Sequence, residues 1–459
     1  MNSPSSEQAI DSKNLRKSVI AGTIGVFVHW FDWAIYAYLS GTLAHVFFPD
    51  QDGTAAMLAV WGVFAISFAV RPVGALLFGY LGDKIGRSHT LSIVIVAMAF
   101  GTLVLGLLPG YAVIGIWAPL LLLVSRVIQG LAAGGEYGSA AAFMAEYSPR
   151  AHRGFGVSWI EVGSLLGFLA ASVVAFALSE SMSAAQVADW GWRVPFILAA
   201  PLGIIGYYIR ARIEDTPEFR SIKKAEAISQ SPIREVLKSN WRQVLQASGI
   251  EMAMNVTFYI VLVYLLTYQE SHLSWTAGRA ALLSSVVSVI AMAVVPIAGA
   301  LSDRIGRKPV LAMPCVALVV LSYPLFQLMQ MPDAWAQNLS TILLGVILAM
   351  ILGVHAVICA ELFPTRTRQT GLSIAYQVTA AIFTGTVPYV LTWFIARTGD
   401  IMYPAYYLIV MGVVGVVVTL TLKETRGSSL LHEVDLIAVR AQNPATAPVP
   451  NAQLALDEA

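Results

Sequence analysis

Twelve separate stretches of about 20 or more mostly apolar residues constrain this chain more than any other feature. They lie near 18–43, 56–81, 90–109, 117–145, 155–179, 191–209, 243–268, 278–301, 309–331, 339–362, 370–396 and 403–422. About 20 such residues cross a hydrocarbon layer as a helix. Inside lipid, each backbone N–H and C=O must be satisfied within the protein, which leaves helices or closed barrels. Runs this long and continuous predict helices. Only 12% of the residues are charged and 57% are hydrophobic, whereas soluble domains carry roughly 25% charged residues. The expected fold is therefore an all-α membrane protein with twelve transmembrane helices. Residues 1–17 are polar and the first apolar stretch is too long for a cleavable signal, so it is expected to be retained.

The twelve stretches divide into two sets of six. Gly79-Tyr80-Leu81-Gly82-Asp83-Lys84-Ile85-Gly86-Arg87 returns as Gly299-Ala300-Leu301-Ser302-Asp303-Arg304-Ile305-Gly306-Arg307, one G-x-L-x-D-(K/R)-I-G-R pattern at an offset of 220 residues. Ala145-Glu146-Tyr147-Ser148-Pro149 returns as Ala360-Glu361-Leu362-Phe363-Pro364. A fixed-period repeat implies two six-helix pseudo-repeats, and paired repeats in a membrane chain point to a transporter that rocks about a central site. The expected organisation is a polar N-terminus (1–17), one half at 18–209, a linker at 210–242, a second half at 243–424 and a disordered tail at 425–459. In the linker, Ser231-Pro232 reads as an N-cap and first-turn proline. Ile233, Val236, Leu237 and Trp241 then line one face of a short amphipathic helix expected on the inner membrane surface.

Charge sets the expected orientation. With both termini in the cytosol, 23 of the 28 Lys and Arg fall on the cytosolic side, as the positive-inside rule requires. Only Arg193, Arg279 and Arg397 fall outside, and Arg71 and Arg126 within the membrane. The basic linker then needs no nucleic-acid partner. Trp117, Trp190, Trp192, Trp275, Trp335 and Trp393 fall near predicted outer ends, where an aromatic belt is expected. Cys315 and Cys359 both lie in predicted spans. No His/Cys spacing suits a metal, and no metal or cofactor is expected.

Ionisable residues inside spans are costly and point to function. Helix 1 carries His29, Asp32 and Tyr36 at i, i+3 and i+7, on one face. Helix 2 has Arg71. Helix 4 has Arg126, Gln129, Glu136 and Tyr137, with Gly130, Gly134, Gly135 and Gly138 offering a surface for close helix approach. Helix 5 has Glu161 with Ser158 and Ser164. Helix 7 has Glu251, Asn255 and Tyr259, helix 10 has His355, and helix 11 has Tyr376 and Gln377. Helices 3, 6, 9 and 12 are uncharged. The competing reading of Asp32, Arg71, Arg126 and Glu136 is a set of static buried ion pairs.

The doubled motif resembles the loop between the second and third helices of each half in the Major Facilitator Superfamily. A finer resemblance, to the metabolite:proton symporter family with its proline/betaine and 2-oxoglutarate members, rests on blocks spread from helix 1 to helix 12. They are Trp30-Phe31-Asp32, Arg71-Pro72-Val73-Gly74, Gly134-Gly135-Glu136-Tyr137-Gly138, Trp190-Gly191-Trp192-Arg193, Glu214-Asp215-Thr216-Pro217, Ala360-Glu361-Leu362-Phe363-Pro364 and Pro404-Ala405-Tyr406-Tyr407-Leu408. Asn255-Val256-Thr257 and Tyr406-Tyr407 look closest to the proline/betaine branch. His29 stands where the family usually has Glu, and the tail lacks the long coiled coil of the osmosensing member.

The resemblance implies a proton-coupled importer of a small polar metabolite, working by alternating access in a bacterial inner membrane, with both termini cytosolic. The metabolite is a zwitterion such as proline or betaine, or a small carboxylate. Asp32, Glu136 and His29 are the candidates for proton coupling. Arg71, Arg126, Gln129, Tyr137, Glu161, Glu251, Asn255, Tyr259, Tyr376 and Gln377 are the candidates for substrate binding. Asp83, Arg87, Asp303 and Arg307 are expected to form a cytosolic gate. The expected partners are the substrate, a proton and the lipid bilayer, with the chain a monomer. A passive facilitator or exporter of the same fold is the alternative. A membrane enzyme is remote, because no nucleophile–base pair or metal cluster stands out.

Overall fold

The computed structural model describes residues 12–49, 51–85, 87–210, 232–365, 367–428 and 430. The linker at 211–231, most of the expected tail and the side chains of Asp83 and Arg87 lie outside the described residues. Twelve spanning helices follow one another, several in two pieces. They are α1 (Ser12–Tyr38, then Ser40–Phe47), α2 (Gly53–Ala69, then Arg71–Ile85), α3 (Arg87–Leu107), α4 (Trp117–Ala133, then Tyr137–Tyr147), α5 (Arg153–Ser181) and α6 (Arg193–Arg210). The second six are α7 (Trp241–Phe258, then Leu265–Leu273), α8 (Ala277–Ile305), α9 (Arg307–Met329), α10 (Ala334–Leu352, then His355–Leu362), α11 (Arg368–Thr379, then Val387–Thr398) and α12 (Tyr403–Thr421). Among the described residues, eight helical runs are individually long and apolar enough to cross a membrane.

The amphipathicity is inverted relative to a soluble bundle. Val320, Leu420, Ile297 and Phe100 are 60–75% exposed, while arginines and carboxylates are buried between the helices. Lipid tolerates the first and penalises the second. The first half packs α1 on α5 and α6, and α3 on α4 and α6; the second packs α7 on α11 and α12, and α9 on α10 and α12. The halves meet along α5 and α8, along α2 and α11, and where the ends of α4 meet those of α10 and α11. The helices α3, α6, α9 and α12, which carry no charge along their apolar lengths, thus pack mainly within their own halves.

Glycines set two of the closest crossings. A Cβ on Gly130 of α4 would stand 2.0 Å from the Ser67 carbonyl oxygen of α2, so the glycine-rich surface of α4 does allow backbone to meet backbone. Gly154 of α5 and Gly299 of α8 cross in the same way between the halves: a Cβ on either would lie 2.6 Å from the other's carbonyl oxygen. Gly306, the second glycine of the repeated pattern, has φ +105° and turns α8 into α9.

Interruptions were not legible from the apolar runs. α4 breaks at Gly134–Glu136, α10 at Gly353–Val354, and α7 and α11 each contain a π-helical segment, Tyr259–Tyr264 and Ala380–Thr384. Each break lies beside the central seam, where such irregularities recur at functional sites. Four of the six expected belt tryptophans (Trp117, Trp190, Trp335 and Trp393) are exposed at 39–64%. The other two are corrected here: Trp192 is buried against Phe47 and Phe196, and Trp275 is buried with its indole N–H donating to Gln337. In the short helix Pro232–Ser239, Val236 is buried whereas Ile233 and Leu237 are exposed, as is Trp241 at the start of α7.

Candidate functional site

Residues 12 and 421 lie on one face, here termed the terminal face; the opposite one is the far face. Between them, charged and polar side chains form three buried levels.

The level nearest the far face lies within the first half. Asp32 of α1 accepts hydrogen bonds from Thr102 of α3 (2.8 Å) and Gln129 of α4 (3.2 Å), and pairs with Arg126 of α4 at 3.4 Å. Arg126 also donates to Gln129 (2.8 Å), and its guanidinium lies 4.1 Å from the Tyr36 ring centroid and 4.3 Å from that of Trp33. One turn before Asp32, His29 Nδ1 is 3.1 Å from Glu136 Oε2. The shared faces read from α1 and α4 are therefore brought together, Asp32 to Arg126 and Gln129, His29 to Glu136. Tyr36 donates instead to the Val60 carbonyl.

The central level is a narrow pocket, with room for about one water molecule in this closed packing, lined by His29, Trp30, Arg71, Glu136, Tyr376 and Gln377, among others. Arg71 is 1% exposed. Its guanidinium is held 3.6 Å from the Phe68 ring centroid and 4.1 Å from that of Trp33, and its Nε and Nη2 have no hydrogen-bond partner. A buried cation stacked on aromatic faces with two donors aimed at nothing is costly unless an anion completes the site. Tyr376 stacks on Tyr137 at 4.1 Å, and Gln377 donates to the Gly134 carbonyl across the seam. Toward the far face Trp30, Phe64, Phe68 and Tyr259 close the cavity with edge and tilted ring contacts. The Tyr259 hydroxyl has no hydrogen-bond partner. Arg126 bonds Asp32 and Gln129 through Nη1 and likewise leaves Nε and Nη2 unsatisfied, but Arg71 is the arginine that lines the pocket.

The third level joins the halves. His355 of α10 places Nε2 3.3 Å from Glu161 of α5 and Nδ1 3.3 Å from Glu251 of α7. Tyr137 of α4 donates to Glu161 at 2.9 Å. Sequence reasoning left Glu161 and Glu251 without partners and did not place His355 in the site. The available signal was an ionisable residue alone in an apolar run, and nothing in its own helix names its neighbours. Asn255 does not extend this cluster, because its amide donates back to the Glu251 carbonyl.

At the terminal face the seam is closed by ion pairs. Asp303 accepts from the backbone N–H groups of Gly154 and Phe155, each at 2.9 Å, and from Arg307 at 2.7 Å. Arg307 also forks onto Glu361 with two 3.2 Å bonds. Glu361 of the second half pairs with Arg153 of the first, and Glu146 of the first with Arg368 of the second, both at 3.1 Å. These two pairs are copies of each other: Glu146 and Glu361 are the glutamates of the repeated Ala-Glu block, and each arginine follows its own half's glutamate by seven residues. Neither pair was expected, although the repeat marked both glutamates.

Beyond α12 the chain folds back over this layer. Glu424 accepts from the N–H groups of Arg307 (2.8 Å) and Lys308 (3.1 Å) at the start of α9, and Thr425 donates to Glu361 (2.7 Å). Burial acts to raise the Glu424 carboxyl, but its backbone hydrogen bonds to Arg307, Arg426 and Lys308 outweigh it and hold the group below the ordinary glutamate value. Carbonyl oxygens of Gly427, Ser428 and Leu430 accept from Arg150, Arg153 and Arg368, so one strand of chain ties both halves together.

Comparison with known proteins agrees with this architecture. The family model of the Major Facilitator Superfamily matches residues 22–388. The proline/betaine transporter of Escherichia coli (strain K12) is 38% identical over 430 residues, covering 92% of this chain and 86% of the relative. The glycine betaine/proline/ectoine/pipecolic acid transporter OusA of Dickeya dadantii (strain 3937) is 37% identical over the same shares. The solved structure of the proton:xylose symporter XylE bound to 6-bromo-6-deoxy-D-glucose superposes with a TM-score of 0.75 at 19% identity, covering 91% of this chain and 98% of that one. That last likeness speaks for the fold alone.

Proposed function

The chain belongs to the Major Facilitator Superfamily, and from that membership we propose that it imports a small zwitterion of the proline or betaine kind together with a proton. It is a membrane transporter and not an enzyme. The observation that carries the substrate class is Arg71. A buried guanidinium with two unsatisfied donors lining the central pocket suits a carboxylate bound by a fork. The aromatic rings of Trp30 and Tyr259 beside it suit the cationic end of the same molecule. The names of the two transporters at 37–38% identity agree with such a substrate.

Coupling is assigned to the buried carboxylates, with His29, Asp32 and Glu136 as the first-half proton groups. The terminal face is assigned to the cytosol of a bacterial plasma membrane. There the Asp303–Arg307 layer acts as the cytosolic gate, together with Asp83 and Arg87 of the first copy. Of the remaining candidates, Gln129, Tyr137, Tyr376 and Gln377 position these groups or line the pocket, while Asn255 bonds back to its own helix. Alternating access then requires the charged layer to separate while the far-face aromatic contacts stay closed, and the reverse.

The test is binding of glycine betaine and proline to purified protein by calorimetry, paired with uptake into proteoliposomes with and without an imposed proton gradient. Arg71→Lys keeps the charge and removes the fork, so affinity should fall at least tenfold with the fold intact. Unchanged affinity in Arg71→Lys would remove the carboxylate anchor. Uptake indifferent to the gradient would leave a passive facilitator.

A further inference from the structure

We propose that Glu161, His355 and Glu251 form a second proton site, one that is loaded from the far side while the terminal face is closed and that releases its proton to the cytosol as the halves part there. The proposal rests on the transporter reading above, and assigns to it a site outside the first-half groups.

The argument starts from hydrogen-bond parity. Both ring nitrogens of His355 face carboxylate oxygens at 3.3 Å. The Tyr137 hydroxyl lies 3.4 Å from Nε2 but gives its one proton to Glu161 at 2.9 Å, so each imidazole–carboxylate contact needs a proton of its own, because a nitrogen lone pair facing a carboxylate lone pair is repulsive. A neutral imidazole carries one N–H and an imidazolium two. The closed cluster therefore holds at least two protons, either both on the ring or one on the ring and one on a carboxyl. With two it still has a charge of −1, since two carboxylates face one imidazole.

Among the described residues no cation pairs with the cluster; Arg71 of α2 lies on the other side of Tyr376 and makes no ion pair with Glu161 or Glu251. The side chains of His355, Glu161 and Glu251 are 0–3% exposed. Tyr137 of α4 donates to Glu161. Tyr376 of α11 and Cys359 of α10 also lie within electrostatic reach of the carboxylates, and both are neutral. α8, which packs along α5, has no ionisable side chain between Arg279 and Asp303. On α1, His29 and Asp32 are engaged with Glu136 and Arg126. Burial of an uncompensated charge is expensive, so the closed state favours a further proton.

Topology connects this count to movement. Glu161 belongs to the first half, His355 and Glu251 to the second. Separation of the halves at the terminal face removes Glu161 from the imidazole and admits water to all three groups. Hydrated carboxylates at cytosolic pH do not retain protons. The number of bound protons therefore differs between the closed and inward-open states, which is what couples a proton to the conformational cycle. The proton moves between a carboxylate oxygen and water, and no bond between heavy atoms changes.

The test uses His355→Gln and Glu161→Gln in the full-length protein. Glutamine preserves size and hydrogen bonding without titrating. In proteoliposomes, the ratio of gradient-driven accumulation to equilibrium exchange should fall at least tenfold in each variant. The pH dependence of the inward-open population, read from the distance between spin labels on the two halves, should flatten. Wild-type accumulation ratios and a wild-type pH profile in either variant with an unchanged melting temperature would overturn the proposal. If His355→Gln fails to fold, Glu161→Gln decides alone. An unmodified protein that ignores the gradient would instead defeat the symport reading, so the two failures are distinguishable.

Discussion

Gly299→Ala should hold the transporter open at the terminal face. An added Cβ would stand 2.6 Å from the Gly154 carbonyl oxygen and 2.9 Å from Ser158 Cβ, where ordinary contact begins at 3.4 Å. α5 and α8 must therefore part by about 0.8 Å at this crossing. Asp303, one turn along α8, accepts from Gly154 N and Phe155 N at 2.9 Å. The same displacement lengthens both bonds to about 3.7 Å, outside hydrogen-bonding range. Hydrogen bonds to a charged group contribute roughly 1.5–3 kcal/mol each. Loss of the two, allowing for non-additivity, destabilises the closed state by about 3 kcal/mol. That is roughly a 100-fold shift in population. Both native cysteines are buried, so a Ser373→Cys reporter can be read alone. Ser373 lies against Gly138 on the α4–α11 seam, away from the substituted crossing. Maleimide should label it far faster from the terminal side in the Gly299→Ala background, while transport slows and substrate affinity changes little. If labelling is unchanged in protein that retains its melting temperature, close approach of these glycines does not govern closure.

Two further substitutions test the buried network and the chain beyond α12. Arg126→Ala leaves Asp32 without its cation in a buried site, at a cost of about 3–5 kcal/mol; thermal unfolding in detergent should show it, and the double variant Arg126→Gln/Asp32→Asn should recover much of the loss. An unchanged melting temperature in Arg126→Ala would show that the pair is not structural. Glu424 has a lowered folded pKa, so its stabilisation is complete above the ordinary glutamate value of 4.5 and is lost as pH falls through the lowered value. Glu424→Gln should lower the melting temperature at pH 7 and flatten its pH dependence below 4.5; parallel profiles for the two proteins would rule out the capping role.

The parts of this molecule that sequence revealed are those written along single helices. Twelve apolar runs mark twelve spans because lipid forbids unsatisfied backbone. The i, i+3 spacing of His29 and Asp32 and the seven-residue spacing of Gln129 and Glu136 put each set on one face of its helix, and the structure joins the two faces within the first half. Contacts between helices left weaker traces. His355 reads as a lone histidine until α5 and α7 bring a carboxylate to each ring nitrogen. Arg126 and Arg71 look alike in sequence, yet one is matched by Asp32 and the other by no carboxylate. Trp192 and Trp275 occupy belt positions by count, and only packing against Phe47 or Gln337 turns them inward. The repeat contained more than was read from it, since a glutamate and an arginine seven apart in each half are complementary only once the two copies face each other.

That reciprocal exchange has an electrostatic consequence for the closed layer. Each half contributes one arginine and one glutamate to the exchanged pairs, so these pairs place no net charge on either side of the seam and no long-range repulsion opposes closure. The four side chains are 0–6% exposed when paired, which keeps dissolved ions away from them. Screening, with a Debye length of about 8 Å at physiological ionic strength, acts only on charges that water can reach. Added salt at the terminal face therefore leaves the closed layer unaltered and stabilises the separated charges by surrounding them with counterions. The balance between open and closed at this face shifts toward open as the salt concentration of the adjoining solution rises.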